Sequence, residues 1–549
     1  MGEPRRLALE GDGIFSATVA AAHAGSHYHF TLTTPAGTLT RTDPWCRERA
    51  SGADCSVIDP TTFSPSHAGF VAPARSNSVV YEADIGALRV ATGATLGTFT
   101  AAVGALSDLH DLGVDVLELM PVHACGGAFG SWGYGPQLYL SPRSEYGTAD
   151  DLRALVDDAH GAGMSVWLDV VFNHMDGWSK APLHCFDGNC PSGWAGLYYF
   201  APGTYATTPW GPRPDYTSTR VAEMLLGSVD EWIDEFHGDG FRFDSVANIR
   251  AIDGAGTTPG GQEFLVQANA EAHARSALTV AEDLKGDDAI TADPSTGGFG
   301  FDAQWDGFGY EVVPVLTAPT DAARDLGAIE SALTGSYNGD PFARLMFLED
   351  HDTVGNGGAR LPDQIDSADP TSLHARRVDL LGATLLLTAP GVPMIFMGEE
   401  SLATGTFDDP PSPLATPTAQ GLQVRAFWKD AIALRTNTAG GTGGLSDMSI
   451  DVFHRNDGAK VIAYRRYGTS GEDVIVILNL MNKSYASYDI GAPAAGPWRV
   501  RLTTDSAKYG DDFPVTVATS LDTTAASYDG MPFKLGVPLT AYGAMILSK

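Results

Sequence analysis

The sequence predicts an α/β protein built on a (β/α)8 TIM barrel, with an N-terminal β-sandwich module and a C-terminal all-β sandwich domain. Short strand-like runs alternate with amphipathic helical segments over residues 78–438, which is typical of a parallel barrel. Alternating apolar and polar runs precede and follow this region. The chain of 549 residues is long enough for several domains.

Residues 1–77 are predicted to form the N-terminal module. Runs such as GIFSATVAAA and HYHFTLTT alternate apolar and polar residues, which is the pattern of half-buried antiparallel strands. The region has room for few strands, so we expect a shortened sandwich.

Eight strand-like runs define the predicted barrel. They are short and rich in β-branched and apolar residues: VVYEADI, VDVLELMPV, MSVWLDVVF, GFRFDSV, LTVAEDL, FDAQWD, RLMFLED and PMIFMGEE. Segments of helical periodicity, such as TADDLRALVDDAHGAG, fill most intervals between them. A stretch rich in Gly, Pro, Trp and Cys at residues 175–218 predicts an insertion after the third strand. Residues 439–549 then return to strand patterns such as KVIAYRRYG, which predicts the second sandwich.

The negative net charge limits the classes of molecule that this protein is expected to bind. Lys plus Arg number 34 and Asp plus Glu number 67, a net charge of −33 that repels nucleic acid and anionic membranes. Apolar runs stay well short of the ~20 residues that a membrane span needs. We therefore expect neither nucleic acid nor membrane as a partner, and a monomeric protein.

The five cysteines favour two disulfides. Cys46 and Cys55, like Cys185 and Cys190, enclose loop-like stretches short enough to bridge, which leaves Cys125 as a buried thiol. Two disulfides would indicate an extracellular or periplasmic protein. The first residues, MGEPRRLALEGDG, show no signal peptide, and five reduced thiols in a cytoplasmic protein remain the alternative.

Polar residues gather where the predicted barrel strands end. Active-site groups of such barrels lie at the C-terminal ends of the strands and meet at one mouth. The strand-end residues are Asp169, Asn173 and His174 after strand three, Arg242 and Asp244 on strand four, Glu282 after strand five, and Glu349, Asp350, His351 and Asp352 after strand seven. A structural salt-bridge network would explain one such strand, but not three converging ones.

Arg242 and Asp244 indicate the chemistry. They lie two residues apart, so both face the barrel interior, where burying charges costs several kcal/mol unless they are paired. An Arg so placed keeps a neighbouring carboxylate ionised and oriented. Several carboxylates without a thiolate or a Ser–His pair suit glycosidic bond cleavage, which needs one carboxyl protonated and another ionised.

Four ordered motifs resemble those of the α-amylase family of glycoside hydrolases: DVVFNH, GFRFDSV, VAEDL and EDHDTVGN. The resemblance covers most of the chain. WGYGP, FDAQW and GVPMIFMGEE further resemble the branch of the family that holds glycogen branching enzymes, maltooligosyltrehalose trehalohydrolases and related α-amylases.

The resemblance implies a role for each matching residue. Asp244 matches the nucleophile, Glu282 the general acid/base, and Asp352 the carboxylate that stabilises the transition state. The matches to substrate-binding residues are Tyr134, the platform under the sugar in subsite −1, together with Asp169, His174, Arg242 and His351. Two carboxyls placed for direct attack imply that the anomeric configuration is retained.

Asn173 and the tryptophans leave alternatives open. Asn173 matches a position that ligates calcium in many family members, but the same Asn occurs in members without the metal. The chemistry itself is expected to need no cofactor. Four residues are candidates for stacking on sugars, of which we assign Trp305 to substrate binding, although each alone is more typical of packing: Trp132, Trp194, Trp210 and Trp305.

The resemblance favours an endo-acting α-amylase that cleaves α-1,4-glucans such as starch, glycogen or maltooligosaccharides. DHDTVGN resembles the hydrolase pattern, and VAEDLKGDD lacks the Glu-Glu pair typical of bacterial branching enzymes. A 1,4-α-glucan branching enzyme and a trehalohydrolase are the alternatives. A catalytically inactive glucan-binding protein is a more remote one, because Asp244, Glu282 and Asp352 are all intact.

Overall fold

The computed structural model of the protein describes residues 5–11, 14–35, 37–126, 132–176, 181–252, 256–513 and 518–549. At its centre, eight parallel strands close into a barrel in the order of the sequence, which confirms the predicted (β/α)8 fold. The strands are β1 (Val80–Ala83), β2 (Val116–Leu119), β3 (Ser165–Val170), β4 (Gly240–Phe243), β5 (Leu278–Ala281), β6 (Ala303–Trp305), β7 (Arg344–Met346) and β8 (Val392–Phe396).

Alternation along the strands determines what fills the barrel. Val80 and Trp167 belong to an apolar cluster together with Val280. Successive side chains of a strand point to opposite faces, so the next residues on the same face are Glu82 on β1 and Asp169 on β3. Both carboxylates are almost completely buried. The barrel therefore has an apolar layer and, towards the C-terminal ends of its strands, a charged one.

Helices cover most of the outside of the barrel. The longer helices are α1 (Phe99–Leu112), α2 (Ala149–Gly161), α3 (Thr219–Asp234), α4 (Gly261–Ala274), α5 (Phe308–Leu316), α6 (Leu326–Thr334), α7 (Leu373–Thr388) and α8 (Ala419–Arg435). Local sequence explains their ends: the Thr148 side chain accepts from the Asp151 N–H at the start of α2, and Gly113 with φ 99° ends α1. Between β5 and β6, where every residue is described, only the short 3-10 turns Asp288–Ile290 and Pro294–Thr296 occur.

The C-terminal region is all-β, as predicted. Its antiparallel strands are β9 (Ser449–Asn456), β10 (Val461–Tyr467), β11 (Val474–Asn479), β12 (Tyr485–Ala492), β13 (Pro497–Thr503), β14 (Ser520–Thr524), β15 (Phe533–Leu539) and β16 (Ala544–Ser548). They pair in the order β9-β10-β11-β16-β13-β14-β15-β12. Ile475, Trp498 and Val537, from three different strands, share one apolar core.

The N-terminal region is β-structured as expected, but its described strands pair only two by two. The pairs are Ala8–Gly11 with Ile14–Ser16, His27–Tyr28 with Cys55–Ser56, and Phe30–Thr34 with Gly37–Arg41. Among the described residues the predicted N-terminal sandwich is therefore reduced to three separate two-stranded sheets.

Two disulfides tie down loops near the barrel. Cys46 is bonded to Cys55, and Cys185 to Cys190, which confirms both predicted pairs. Cys125 lies outside both bridges and is half-buried. The second bridge lies in the insertion after β3, of which residues 181–218 are described and contain neither a helix of α type nor a regular strand before α3. Among the described residues, helices with the length and apolarity to span a bilayer are absent.

Candidate active site

Ionisable side chains from five successive strand ends fill the mouth of the barrel. They are Glu82 on β1, Glu118 on β2, Asp169 on β3, Arg242 on β4 and Glu282 directly after β5. In the strand register Glu82 lies beside Glu118, and Asp169 beside Arg242. The first four are at most 2% exposed. Parallel strands thus place residues that are far apart in sequence in one charged layer.

Arg242 is the centre of this layer. Its Nη1 donates to Asp169 Oδ2 at 2.7 Å and to Asp244 Oδ1 at 2.9 Å, and its Nη2 donates to Glu282 Oε2 at 2.8 Å. Trp305 covers the guanidinium at 4.3 Å from its ring centroid. One planar cation therefore orients three carboxyl groups from three strands.

Asp244 is held from two sides. Arg242 binds Oδ1, and the Asn173 side-chain amide donates to Oδ2 and, at 3.0 Å, to the Asp244 backbone carbonyl. The next residue, Ser245, has a left-handed backbone with φ 44°, which ends β4 sharply. The Asp244 side chain remains 12% exposed, so a small part of it reaches the cleft.

Glu282 is placed to carry a proton. Its Oε2 accepts from Arg242 and from the Ser245 N–H at 2.6 Å. Burial raises the pKa of Glu282 to about 8; the charge of Arg242 opposes this shift, and the carboxylates of Asp244 and Asp352 add to it. At neutral pH this carboxyl is therefore predominantly protonated.

A second set of contacts, made by Tyr134 and His351, connects to this layer. The Tyr134 hydroxyl donates to Asp169 Oδ2 at 2.5 Å, and its ring is stacked on the ring of His351 at 4.8 Å. His351 Nδ1 lies 2.5 Å from Glu82 Oε1. Burial disfavours charge on His351, but the carboxylates of Glu82 and Asp352 outweigh it and raise its pKa to about 10. His351 is accordingly a second buried cation of the site.

Asp352 is the most open of the three predicted catalytic carboxyls. Its side chain is 47% exposed, with Oδ1 3.7 Å from His351 Nε2. The Asn356 amide donates to the same Oδ1 at 2.8 Å. His351 links Asp352 to the layer at the strand ends, because its ring is stacked on Tyr134, which binds Asp169. Residues 244, 282 and 352 thus lie around one barrel mouth.

Two family models match the chain in the regions where the barrel and the C-terminal strands lie. Residues 76–181 match the model described as the α-amylase catalytic domain, and residues 452–549 match the α-amylase C-terminal all-β domain. Both regions therefore resemble domains of the α-amylase family, as the sequence motifs predicted. Of the four motifs, DVVFNH lies within the matched residues.

Curated relatives within the α-amylase family include enzymes of different specificity. The chain is 27% identical to the 1,4-alpha-glucan branching enzyme GlgB of Rhodococcus jostii (strain RHA1), over 99% of this chain and 76% of that protein. It is 28% identical to the malto-oligosyltrehalose trehalohydrolase of Saccharolobus solfataricus, over 71% of this chain and 68% of the relative. It spans only 59% of the branching enzyme of Nocardia farcinica.

The fold also matches solved structures. A pullulanase from Anoxybacillus sp. LM18-11, crystallised with maltotetraose, superposes with a TM-score of 0.75 at 18% identity, over 99% of this chain and 82% of the pullulanase. At this identity the match concerns the fold alone.

Two of the expected sugar-binding residues, Trp305 and His174, are placed differently from the expectation. Trp305 is 1% exposed and packs over Arg242 in the barrel interior, so its ring faces are covered by protein rather than open to a sugar. His174 uses both ring nitrogens on protein atoms, with Nδ1 at the Asn173 side-chain oxygen and Nε2 2.8 Å from the Tyr134 carbonyl. Side chains alternate between the two faces of β6, and this alternation points Trp305 into the barrel. The sequence could therefore have indicated that its ring is buried.

The Asn173 side chain is bound to protein atoms on both ends of its amide. The amide nitrogen binds Asp244, the oxygen lies against His174 Nδ1, and the residue is 0% exposed. Among the described residues, which omit 177–180 of the insertion, clusters of three or more His, Cys, Asp or Glu arranged for a metal are absent, and calcium at Asn173 stays a prediction. Asn173 is built into the support of Asp244.

Sequence analysis missed Glu82 and Glu118. Both were included in strand-like runs, VVYEADI and VDVLELMPV, without a role. A charged residue inside an apolar barrel strand is the signal that could have found them, because such burial needs partners. Among the described residues, Glu118 has no hydrogen-bond partner for either carboxyl oxygen. Burial and the charges of Glu82 and Asp169 raise its pKa well above the usual range, so this carboxyl is neutral.

Two aromatic side chains stay exposed at the barrel mouth. Trp210, in the insertion after β3, is 36% exposed, and its ring centroid lies 5.7 Å from that of His174. Tyr310, in the first turn of α5, is 53% exposed. Trp132, by contrast, is buried and stacked on Phe407.

Proposed function

We propose that this protein is a retaining enzyme that cleaves α-1,4-glucans. The observation that carries the proposal is the shared guanidinium: Arg242 binds Asp244 through Nη1 and Glu282 through Nη2, at 2.9 and 2.8 Å. Two carboxyl groups on one guanidinium are close neighbours. Such closeness suits a nucleophile beside an acid, whereas an inverting pair is spaced for an intervening water.

The proposed reaction has two steps. In the first, an oxygen of Asp244 bonds to the anomeric carbon while Glu282 gives its proton to the glycosidic oxygen, and the bond to the leaving sugar breaks. In the second, the Glu282 carboxylate takes a proton from the incoming hydroxyl, whose oxygen bonds to the anomeric carbon and releases Asp244. Two inversions restore the original configuration.

The electrostatics of the site support these roles. Glu282 has a pKa of about 8 and holds the required proton at neutral pH, while Arg242 and Asn173 both donate to Asp244 and hold its carboxyl group in place. Asp352 is exposed beside them, where its carboxylate can face the hydroxyls and developing positive charge of the sugar. The chemistry uses side chains alone, so we propose that it needs no cofactor.

Two acceptors are candidates for the second step. The hydrolase-like motif DHDTVGN favours water, which would make the protein an endo-acting α-amylase. The curated branching enzymes, one matching 99% of this chain, favour a glucan hydroxyl and thus branching by transfer. The relatives weigh somewhat towards transfer, and we retain both as forms of one glucan-cleaving function.

Incubation with amylose and with soluble starch tests the function. Cleavage followed by water produces new reducing ends. Transfer changes the iodine spectrum without new reducing ends and produces α-1,6 branches, detectable by NMR. If neither quantity changes over a broad range of pH and enzyme concentration, the proposed function is contradicted.

A further inference from the structure

The exposed ring of Tyr310 has no role in the proposed chemistry. Tyr310 lies in the first turn of α5, which begins three residues after β6 ends at Trp305. It therefore lies at the C-terminal side of the barrel, where the catalytic carboxyls also lie. It is 53% exposed, more than Trp210 at 36%, whereas Trp132 and Trp305 are buried.

The position of Tyr310 is fixed by tight packing on both sides. A Cβ atom on the preceding residue, Gly309, would lie 2.6 Å from the Phe347 carbonyl, so the turn lies directly on the chain that leaves β7. The Tyr310 ring meets the Phe347 ring edge-on at 6.3 Å. The Phe308 N–H donates to Asp306 Oδ1 at 2.9 Å, and Arg344 binds the same carboxylate. The ring is thus held in place rather than left loose at the surface.

The surroundings of Tyr310 identify the side of the cleft. The ring of Phe347, which Tyr310 contacts, also meets the ring of Trp305 at 5.0 Å. Trp305 in turn covers the Arg242 guanidinium that binds Glu282, so Tyr310 lies on the side of the cleft where Glu282 lies. Glu282 gives its proton to the leaving sugar, so that sugar must lie against Glu282. The other exposed aromatic ring, that of Trp210, lies near His174 and the insertion after β3.

We propose that Tyr310 is the aromatic platform for the sugar on the leaving-group side of the cleft. A pyranose ring presents an apolar face of C–H groups, which packs on an aromatic ring, while the phenol hydroxyl can bond a sugar hydroxyl. The same platform binds the leaving glucan in the first step and an incoming glucan in the second. Tyr310 thereby influences whether water or a glucan takes the glycosyl group. This inference rests on the proposed function.

The experiment compares two donors whose leaving groups differ. Maltoheptaose places glucose units there, whereas α-maltosyl fluoride places only a fluoride ion. We measure kcat/KM on both donors for the wild type, Tyr310→Ala, Tyr310→Phe and Trp210→Ala. We also measure transfer from the fluoride to added maltose.

Tyr310→Ala should lower the ratio of kcat/KM on maltoheptaose to that on the fluoride by about tenfold or more. It should lower the yield of transfer to maltose by a similar factor. Tyr310→Phe, which keeps the ring, should restore most of the kcat/KM ratio and most of the transfer yield. Trp210→Ala is the matched aromatic control away from Glu282 and should leave that ratio within about twofold of the wild-type value.

Three results would overturn the inference. Equal losses on both donors in Tyr310→Ala would assign the residue to the donor side or to folding, and circular dichroism with thermal melting would separate these. An unchanged ratio would remove the platform role. If Tyr310→Phe fails to restore the ratio, stacking of the sugar on the aromatic ring does not account for the effect. A wild type inactive on both donors would instead contradict the proposed function itself.

Discussion

Arg242 donates through Nη2 to Glu282 at 2.8 Å, although Glu282 must carry a proton to act as an acid. A cation beside a carboxyl ordinarily favours its ionised form. Here burial and the neighbouring carboxylates outweigh Arg242 and raise the pKa of Glu282 to about 8. Arg242 therefore orients Glu282 while Glu282 keeps its proton, and it also holds the Asp244 carboxyl group in place.

Arg242→Lys tests the shared guanidinium. A lysine ammonium cannot donate in one plane to Asp169, Asp244 and Glu282 together, so the carboxyl groups should lose their mutual orientation. We expect kcat on amylose to fall on the order of 10²-fold or more. Arg220→Lys, at an exposed pair with Glu223, is the control and should stay near wild type. Wild-type kcat in Arg242→Lys would contradict the orienting role.

Glu282→Gln tests the acid. Gln keeps the shape of the side chain but cannot protonate a glycosidic oxygen, so kcat on glucan should fall by about 10² to 10⁴. α-Maltosyl fluoride needs no such protonation, so its first step should persist and release fluoride in a burst. Glu311→Gln, at an exposed position of α5, is the control. Loss of the fluoride burst would show damage beyond the missing acid.

The pH dependence of kcat/KM should report the same group. Glu282 has to be protonated in the free enzyme, and burial raises its pKa to about 8. Activity should therefore persist through neutral pH and fall as the pH rises through about 8, one decade per pH unit beyond it. A fall beginning near pH 5, as for an ordinary carboxyl, would refute this description of the site.

The grouping of the motifs at the strand ends was predictable from two properties of parallel strands, the alternation of their side chains and the meeting of their carboxyl ends. Arg242 and Asp244 share one strand face by period 2, and the carboxyl ends of parallel strands meet at one mouth, so their proximity to Glu282 and Asp352 follows from the fold. Both disulfides followed from short spacing in loops.

Other features depend on tertiary contacts that spacing does not encode. Glu82 and Glu118 lie inside apolar strand runs, but which groups they meet becomes evident only when β1 pairs with β2 and β2 with β3. Trp305 was expected to meet sugar, but it covers Arg242. Asn173 is a calcium candidate, and the mutual packing of the β3 and β4 ends turns its amide to Asp244.

Glu118→Gln tests the buried neutral carboxyl. The pKa of Glu118 in the folded protein is raised well above its value in the unfolded chain by burial. Between these two pKa values the folded state binds more protons than the unfolded state, so this group makes stability fall as the pH rises. Glu118→Gln removes that dependence.

The corresponding measurement is thermal unfolding at pH 4 and at pH 8. The stability of Glu118→Gln relative to the wild type should be higher at pH 8 than at pH 4, whatever the cost of the amide itself, which is common to both conditions. The exposed variant Glu311→Gln should show no such gain. The opposite trend would mean that Glu118 is ionised in the folded protein.

Detection of a covalent bond between the glycosyl group and Asp244 is the most direct test of the proposed mechanism. Glu282→Gln should accumulate the glycosyl enzyme from α-maltosyl fluoride, because the second step then lacks its base. Intact-protein mass spectrometry should show one added maltosyl group, and peptide mapping should locate it on Asp244. The adduct should be absent from the double variant with Asp244→Asn. An adduct on another residue, or steady fluoride release through Glu282→Gln without any adduct, would contradict the account.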